Sequence, residues 1–83
     1  MHNILVIDDD KELIELLDEF LSNYNFNIST CLNPIRGIDL ALKDNVDLII
    51  LDISMPEMDG FTVLRKIREV SNKPVVMLTA RGK

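Results

Sequence analysis

Leu48-Ile49-Ile50-Leu51-Asp52-Ile53-Ser54-Met55-Pro56-Glu57-Met58-Asp59-Gly60 is the stretch that decides the fold. Four apolar residues in a row, Leu48 to Leu51, predict a strand covered on both faces, as in a parallel sheet. An acid, Asp52, closes the run. The loop Ser54 to Gly60 then leads into a helix carrying Phe61, Val63, Leu64, Ile67 and Val70. After the loop Ser71-Asn72-Lys73-Pro74 comes a further apolar strand, Val75 to Leu78, followed by Thr79. Strand, helix and strand in this order form a parallel crossover unit.

The residues upstream repeat the pattern. Ile4-Leu5-Val6-Ile7 is a short run of β-formers ended by Asp8-Asp9-Asp10. Leu13, Ile14, Leu16, Leu17, Phe20 and Leu21 recur at helical spacing with acids interleaved, and Ser22 to Asn25 breaks that helix. Phe26, Ile28 and Thr30 alternate with Asn27 and Ser29, as in a half-exposed edge strand. Asn33-Pro34 is a cap followed by a first-turn proline. The helix it opens carries Ile35, Ile38, Ala41 and Leu42 and ends at Asn45. Strand–helix alternation through the whole chain predicts an α/β, doubly wound parallel sheet.

In such a sheet the carboxyl ends of all strands share one edge. With strand order 2-1-3-4 the winding reverses between the first and third strands, and ligands bind at that point. Asp8, Asp9 and Asp52 then converge on one crevice, and Thr79 borders it. Like charges about 4 Å apart repel by roughly 4 kcal/mol at an effective dielectric near 20. Protonation relieves this; a bound hard divalent cation does so better, and an open all-oxygen cluster favours Mg²⁺. The bland alternative is a set of solvated acids. For Asp10 and Asp59 the bland alternative is preferred: each caps the helix that follows.

Composition narrows the classes. The chain has 83 residues, 47% of them hydrophobic and 28% charged, which fits one small globular domain. Nine Lys and Arg against 14 Asp and Glu give a net charge of −5, with no basic footprint for direct nucleic-acid binding. The apolar runs are too short to cross a membrane, and a cytoplasmic setting is expected. Cys31 is the only cysteine, so no internal disulfide forms, and its expected role is a small buried apolar group.

Ile4 to Asp10, Leu51 to Gly60 and Val76 to Arg81 together resemble the receiver domain of two-component response regulators. The most specific part is an acid with Pro four residues later and Gly eight residues later. The strand order expected of that family is itself a standard example of the flavodoxin-like arrangement. The resemblance implies that Asp52 is a phosphoacceptor charged by a sensor histidine kinase. It implies Mg²⁺ held by Asp8, Asp9, Asp52 and the backbone carbonyl of Ser54, with Asp9 the direct ligand and Asp8 acting largely through water. Thr79 takes the place of the switch hydroxyl. Pro56 and Gly60 shape the loop, and the side chains of Ser54 and Arg81 stand where phosphoryl lifetime is tuned. Met77 to Gly82 is most similar to the subfamily that couples a receiver to a winged-helix DNA-binding domain. A receiver assists its own phosphorylation and is not a turnover enzyme.

The resemblance also implies a fourth helix, a fifth strand ending near a phosphoryl-pairing lysine, and a fifth helix. Lys66, Lys73 and Lys83 do not match that lysine. Residues 1–83 are therefore expected to be a receiver fragment of four strands and three helices, impaired in switching. Its fourth strand, Val75 to Leu78, is expected to be an exposed edge that favours a homo-oligomer. One rival is a non-signalling oligomerisation module. Another is a haloacid-dehalogenase-type phosphatase using Asp8 and Thr79, which leaves Asp52 to Gly60 unexplained.

Overall fold

The computed structural model describes residues 2–78. Their order is β1 (His2–Ile7), α1 (Lys11–Ser22), β2 (Phe26–Cys31), α2 (Pro34–Ala41), β3 (Leu48–Asp52), α3 (Gly60–Arg68) and β4 (Val75–Leu78). The four strands pair in parallel in the order β2-β1-β3-β4. The expected architecture is therefore present, with its reversal of winding between β1 and β3.

Alternation along β1 and β3 divides the core in two. Leu5, Ile7, Ile49 and Leu51 point to one face and pack with Ala41 of α2 and with Val63 and Ile67 of α3. Ile4 and Val6 point to the other face and pack with Ile14 of α1. Full burial of an Ile or Val contributes roughly 1.5–3 kcal/mol, so Val63 and Ile67 dock α3 more firmly than any cap could. The coverage of β3 is less even than expected. Ile49 and Leu51 are fully buried, but Leu48 and Ile50, on the α1 face, are only half-buried.

The helices start where the sequence places them. Asp10 Oδ1 accepts from the Leu13 N–H at 3.2 Å, and Asp59 Oδ1 from the Thr62 N–H at 2.9 Å. Asn33 caps α2, with Pro34 in its first turn. Their buried faces are narrower than the apolar spacing suggested. In α1, Ile14 is buried and Leu13, Leu17 and Leu21 are half-buried, while Leu16 and Phe20 lie on the opposite side and are exposed. In α2 the inward stripe is Pro34, Gly37, Ile38 and Ala41, and Ile35 is exposed. That stripe follows the i, i+3, i+4, i+7 rule, which Ile35 does not fit. α2 also ends earlier than expected, with its cap at Leu42. Val70 lies beyond the end of α3 and is exposed.

In β4, Val76 is exposed, while Val75, Met77 and Leu78 are half-buried. Lys73, just before it, donates from its ammonium group to the Ala41 and Lys43 carbonyls at the end of α2. That engagement places Lys73 at the end of the sheet away from the acids. Asn25 takes the left-handed conformation, φ 68°, at the turn from α1 into β2, a position where asparagine is tolerated. Among the described residues no helix is long and apolar enough to cross a membrane.

Candidate metal centre

Parallel pairing brings the acids together. Ile7 is in register with Leu51, so the next residues lie side by side: Asp8 just past the end of β1 and Asp52 as the last residue of β3. Asp8, Asp9 and Asp52 each offer a carboxylate oxygen, and these atoms lie within 4.8 Å of one another. Asp8 and Asp52 are 0% and 1% exposed, whereas Asp9 is open to solvent. The first two are thus not solvated surface acids.

Local backbone aims the two buried carboxylates. Asp8 Oδ1 accepts from the Asp10 N–H at 2.9 Å, and Asp52 Oδ1 accepts from the Ser54 N–H at 3.2 Å. Each is a side-chain bond to the backbone two residues on, the usual means by which aspartate fixes a turn. Asp8 is also held from its backbone, which donates to the Cys31 carbonyl at 3.1 Å. Cys31 is buried, as a small apolar group would be, and its thiol donates to the Asn33 carbonyl at 3.1 Å.

The loop after Asp52 is anchored at both ends. Met55 is buried in the larger core. Gly60 donates its N–H to the Ile53 carbonyl at 2.7 Å. A Cβ on Gly60 would overlap the Asp52 carbonyl oxygen and lie 2.7 Å from Ile53 Cα. Both obstacles are backbone, so the site admits only glycine here without moving Asp52. Asp59 next to it acts on the helix instead of the acids. The Thr62 backbone N–H foremost, with the Arg65 guanidinium adding to it, holds its carboxyl below the usual aspartate range.

The donor set fits a hard divalent cation. Two full negative charges 4.8 Å apart repel by roughly 3 kcal/mol at an effective dielectric near 20. Three carboxylates, one of them exposed, offer hard oxygen ligands with an open side for water, which is the coordination Mg²⁺ prefers. Ser54 lies on the anchored loop beside Asp52, and Thr79 and Arg81 lie outside the described residues.

One residue of the site's support was not read from the sequence. Gly37 in α2 faces the Ile7 side chain, where a Cβ would come within 2.8 Å of Ile7 Cδ1. Helix α2 thereby approaches β1 directly below Asp8. The available signal was a glycine inside an amphipathic helix, three residues after Pro34 and four before Ala41.

Residues 4–83 match the response regulator receiver domain. The chain belongs to that family. It is 43% identical over 82 residues to the transcriptional regulatory protein CpxR of Escherichia coli (strain K12), covering 99% of this chain and 35% of that protein. The receiver therefore spans about a third of the length of the curated relatives it matches. Among solved structures it resembles the response regulator TrrA of Thermotoga maritima in complex with Mg²⁺ and BeF, with TM-score 0.91 and 36% identity. The match covers 99% of this chain and 72% of that one. It also resembles a complex of the histidine kinase ThkA with TrrA, with TM-score 0.90, 36% identity, and 100% and 72% coverage. A haloacid-dehalogenase-type phosphatase is not the family of this chain.

Proposed function

We propose that the receiver takes a phosphoryl group from a sensor histidine kinase onto Asp52, with Mg²⁺ held by Asp8, Asp9, Asp52 and the Ser54 backbone carbonyl. The observation that carries this is the meeting of three carboxylates from two strand ends within 4.8 Å, two of them buried. The relative crystallised with Mg²⁺ and BeF and the relative crystallised with its kinase support the choice of cation and donor.

One Asp52 oxygen attacks phosphorus while the bond from phosphorus to the donor breaks, leaving an aspartyl phosphate. When bound, Mg²⁺ neutralises charge on the group being transferred. The protein's own part is positional. The Ser54 N–H holds one Asp52 oxygen at 3.2 Å and leaves the carboxylate a fixed direction. Gly60 allows α3 to start against the Asp52 backbone, so the acceptor sits on a rigid seat. Asp8 and Asp9 repel an incoming phosphate unless a cation screens them, which makes the transfer dependent on Mg²⁺.

Thr79 serves as the switch hydroxyl in this proposal. Residues 1–83 supply the part of a receiver from β1 to β4. The output is control of transcription, as the names of the relatives support, and the resemblance of Met77 to Gly82 points to a winged-helix DNA-binding domain as its carrier. The receiver acts in the cytoplasm and signals by its phosphorylation state instead of by turnover.

The test is exposure to a small acyl phosphate with and without Mg²⁺, followed by intact mass and peptide mapping. The expected product gains the mass of one phosphoryl group at Asp52, only with Mg²⁺, and Asp52→Ala gains none. Folded protein that takes up no phosphoryl group favours a non-signalling receiver-like module. Label on Asp8 contradicts the assignment.

A further inference from the structure

Asn33, between β2 and α2, is bonded in three directions. Its side-chain oxygen accepts from the Ile35 N–H at 2.9 Å and the Arg36 N–H at 3.0 Å. Its backbone carbonyl accepts from the Gly37 N–H at 2.9 Å and the Cys31 thiol at 3.1 Å. Those bonds build the start of α2 and use up the residue's acceptors. Its side-chain NH₂ points elsewhere and donates to Glu57 Oε1 at 3.3 Å.

Glu57 sits in the loop that follows Asp52. The corner held by Asn33 is also joined to the other side of the acid cluster. Cys31 accepts from the Asp8 N–H, and Gly37 packs on Ile7. The β2–α2 corner thus touches the end of β1 that supplies Asp8 and the loop that follows Asp52. The segment from Ile53 to Gly60 is buried only at Met55 and Gly60 and half-buried at Ile53 and Met58. Pro56 and Glu57 are exposed, so burial does not hold them. The bond joins two exposed side chains at 3.3 Å and spans 24 residues of sequence, so it ties together two loops that no local pairing links.

We propose that the Asn33–Glu57 bond is a latch that fixes the loop after Asp52, making Asn33 and Glu57 positioning residues for the acidic site. The latch orders the backbone that carries Ser54. Its effect on Mg²⁺ rests on the function proposed above; its effect on the loop does not.

The experiment uses the whole chain and two readouts. The first is hydrogen exchange of the amides of residues 54–59 in EDTA. The second is Mg²⁺ affinity by calorimetry. Asn33→Asp keeps an equally good cap for α2 but turns the donor into a carboxylate facing Glu57. Loop exchange should accelerate about threefold or more, and Mg²⁺ binding should weaken by about threefold. Added negative charge by itself would tighten Mg²⁺ binding, the opposite sign. Adding Glu57→Gln to Asn33→Asp restores a donor–acceptor pair in reverse, with the wild-type net charge. That double variant should recover slow exchange. Unchanged loop exchange in Asn33→Asp, or a double variant that exchanges as fast as the single one, overturns the latch. Faster loop exchange in Asn33→Asp, restored in the double variant but with no Mg²⁺ binding by the wild type, leaves the latch standing and rejects the metal assignment.

Discussion

At the amino edge of the sheet, Asp47 Oδ2 accepts from the Asn3 backbone N–H at 2.7 Å and lies 3.9 Å from His2 Nδ1. At the carboxyl edge, Asp8, Asp9 and Asp52 bring three carboxylates within 4.8 Å. The amino edge is a mesh of donors matched to acceptors. The Asn3 side chain donates to the Asn45 carbonyl at 2.7 Å and accepts from the Asn27 amide at 3.0 Å. Asn27, Asn45 and Asp47 of this mesh are exposed to water, and Asn3 is half-buried. The carboxyl edge sets like charge beside like charge, and two of its three acids are buried. Aspartate closes a structural network at one end and concentrates a field at the other. Burial together with convergence distinguishes Asp8 and Asp52 from Asp47, which is exposed and set among amides.

The largest effect that sharpens this contrast is expected at Gly60. Gly60→Ala forces a Cβ onto the Asp52 and Ile53 backbone, which cannot rotate away. A loss of about 3 kcal/mol or more is expected in urea unfolding, or else a displaced Asp52 with impaired phosphoryl uptake. Gly37→Ala meets only the Ile7 side chain and gains helix propensity, so its cost should be smaller. Equal costs for the two would show that the carboxyl-edge loop is softer than its anchors imply.

The smallest effect is expected at Asp59, which lies close to the acids in sequence but belongs to α3. Its carboxyl is held below its ordinary value of 3.8, chiefly by the Thr62 N–H. A depressed folded value means that the stabilisation is present above the ordinary value. It is lost as pH falls through the lower folded value. Asp59→Asn keeps the cap and removes the charge, so the two proteins should differ slightly near neutrality and converge at low pH. Urea titrations across that range provide the check. A difference that persists at the lowest pH would place the effect in packing instead of charge.

Much of this was legible in the sequence. Four strands and three helices followed from apolar runs, caps and turn residues; the rules of parallel crossovers left a few doubly wound strand orders, and the resemblance to receiver domains selected 2-1-3-4 among them. Asp8, Asp9 and Asp52 met because the edge of a parallel sheet collects the residues that end its strands. The unread parts depend on three-dimensional detail. Whether Leu16 or Leu17 faces the sheet turns on the helix's rotation about its axis, and six apolar residues in α1 left that open. Gly37 matters through an approach to Ile7 that no local pattern specifies. The Asn33–Glu57 bond joins residues 24 apart, and only the folded chain brings their loops together.

On the proposed function, the carboxyl-edge acids form a cation site and the amino-edge acid does not. A calorimetric Mg²⁺ titration of the wild type, Asp9→Ala and Asp47→Ala tests it most directly. Asp47→Ala should lose about 1 kcal/mol of stability with its backbone bond and still bind Mg²⁺ like the wild type. Asp9→Ala should fold well, because a repelling charge has gone, and bind Mg²⁺ at least about tenfold more weakly, a change of roughly 1.4 kcal/mol. Equal binding by the wild type and Asp9→Ala, or no binding by the wild type, would contradict the account.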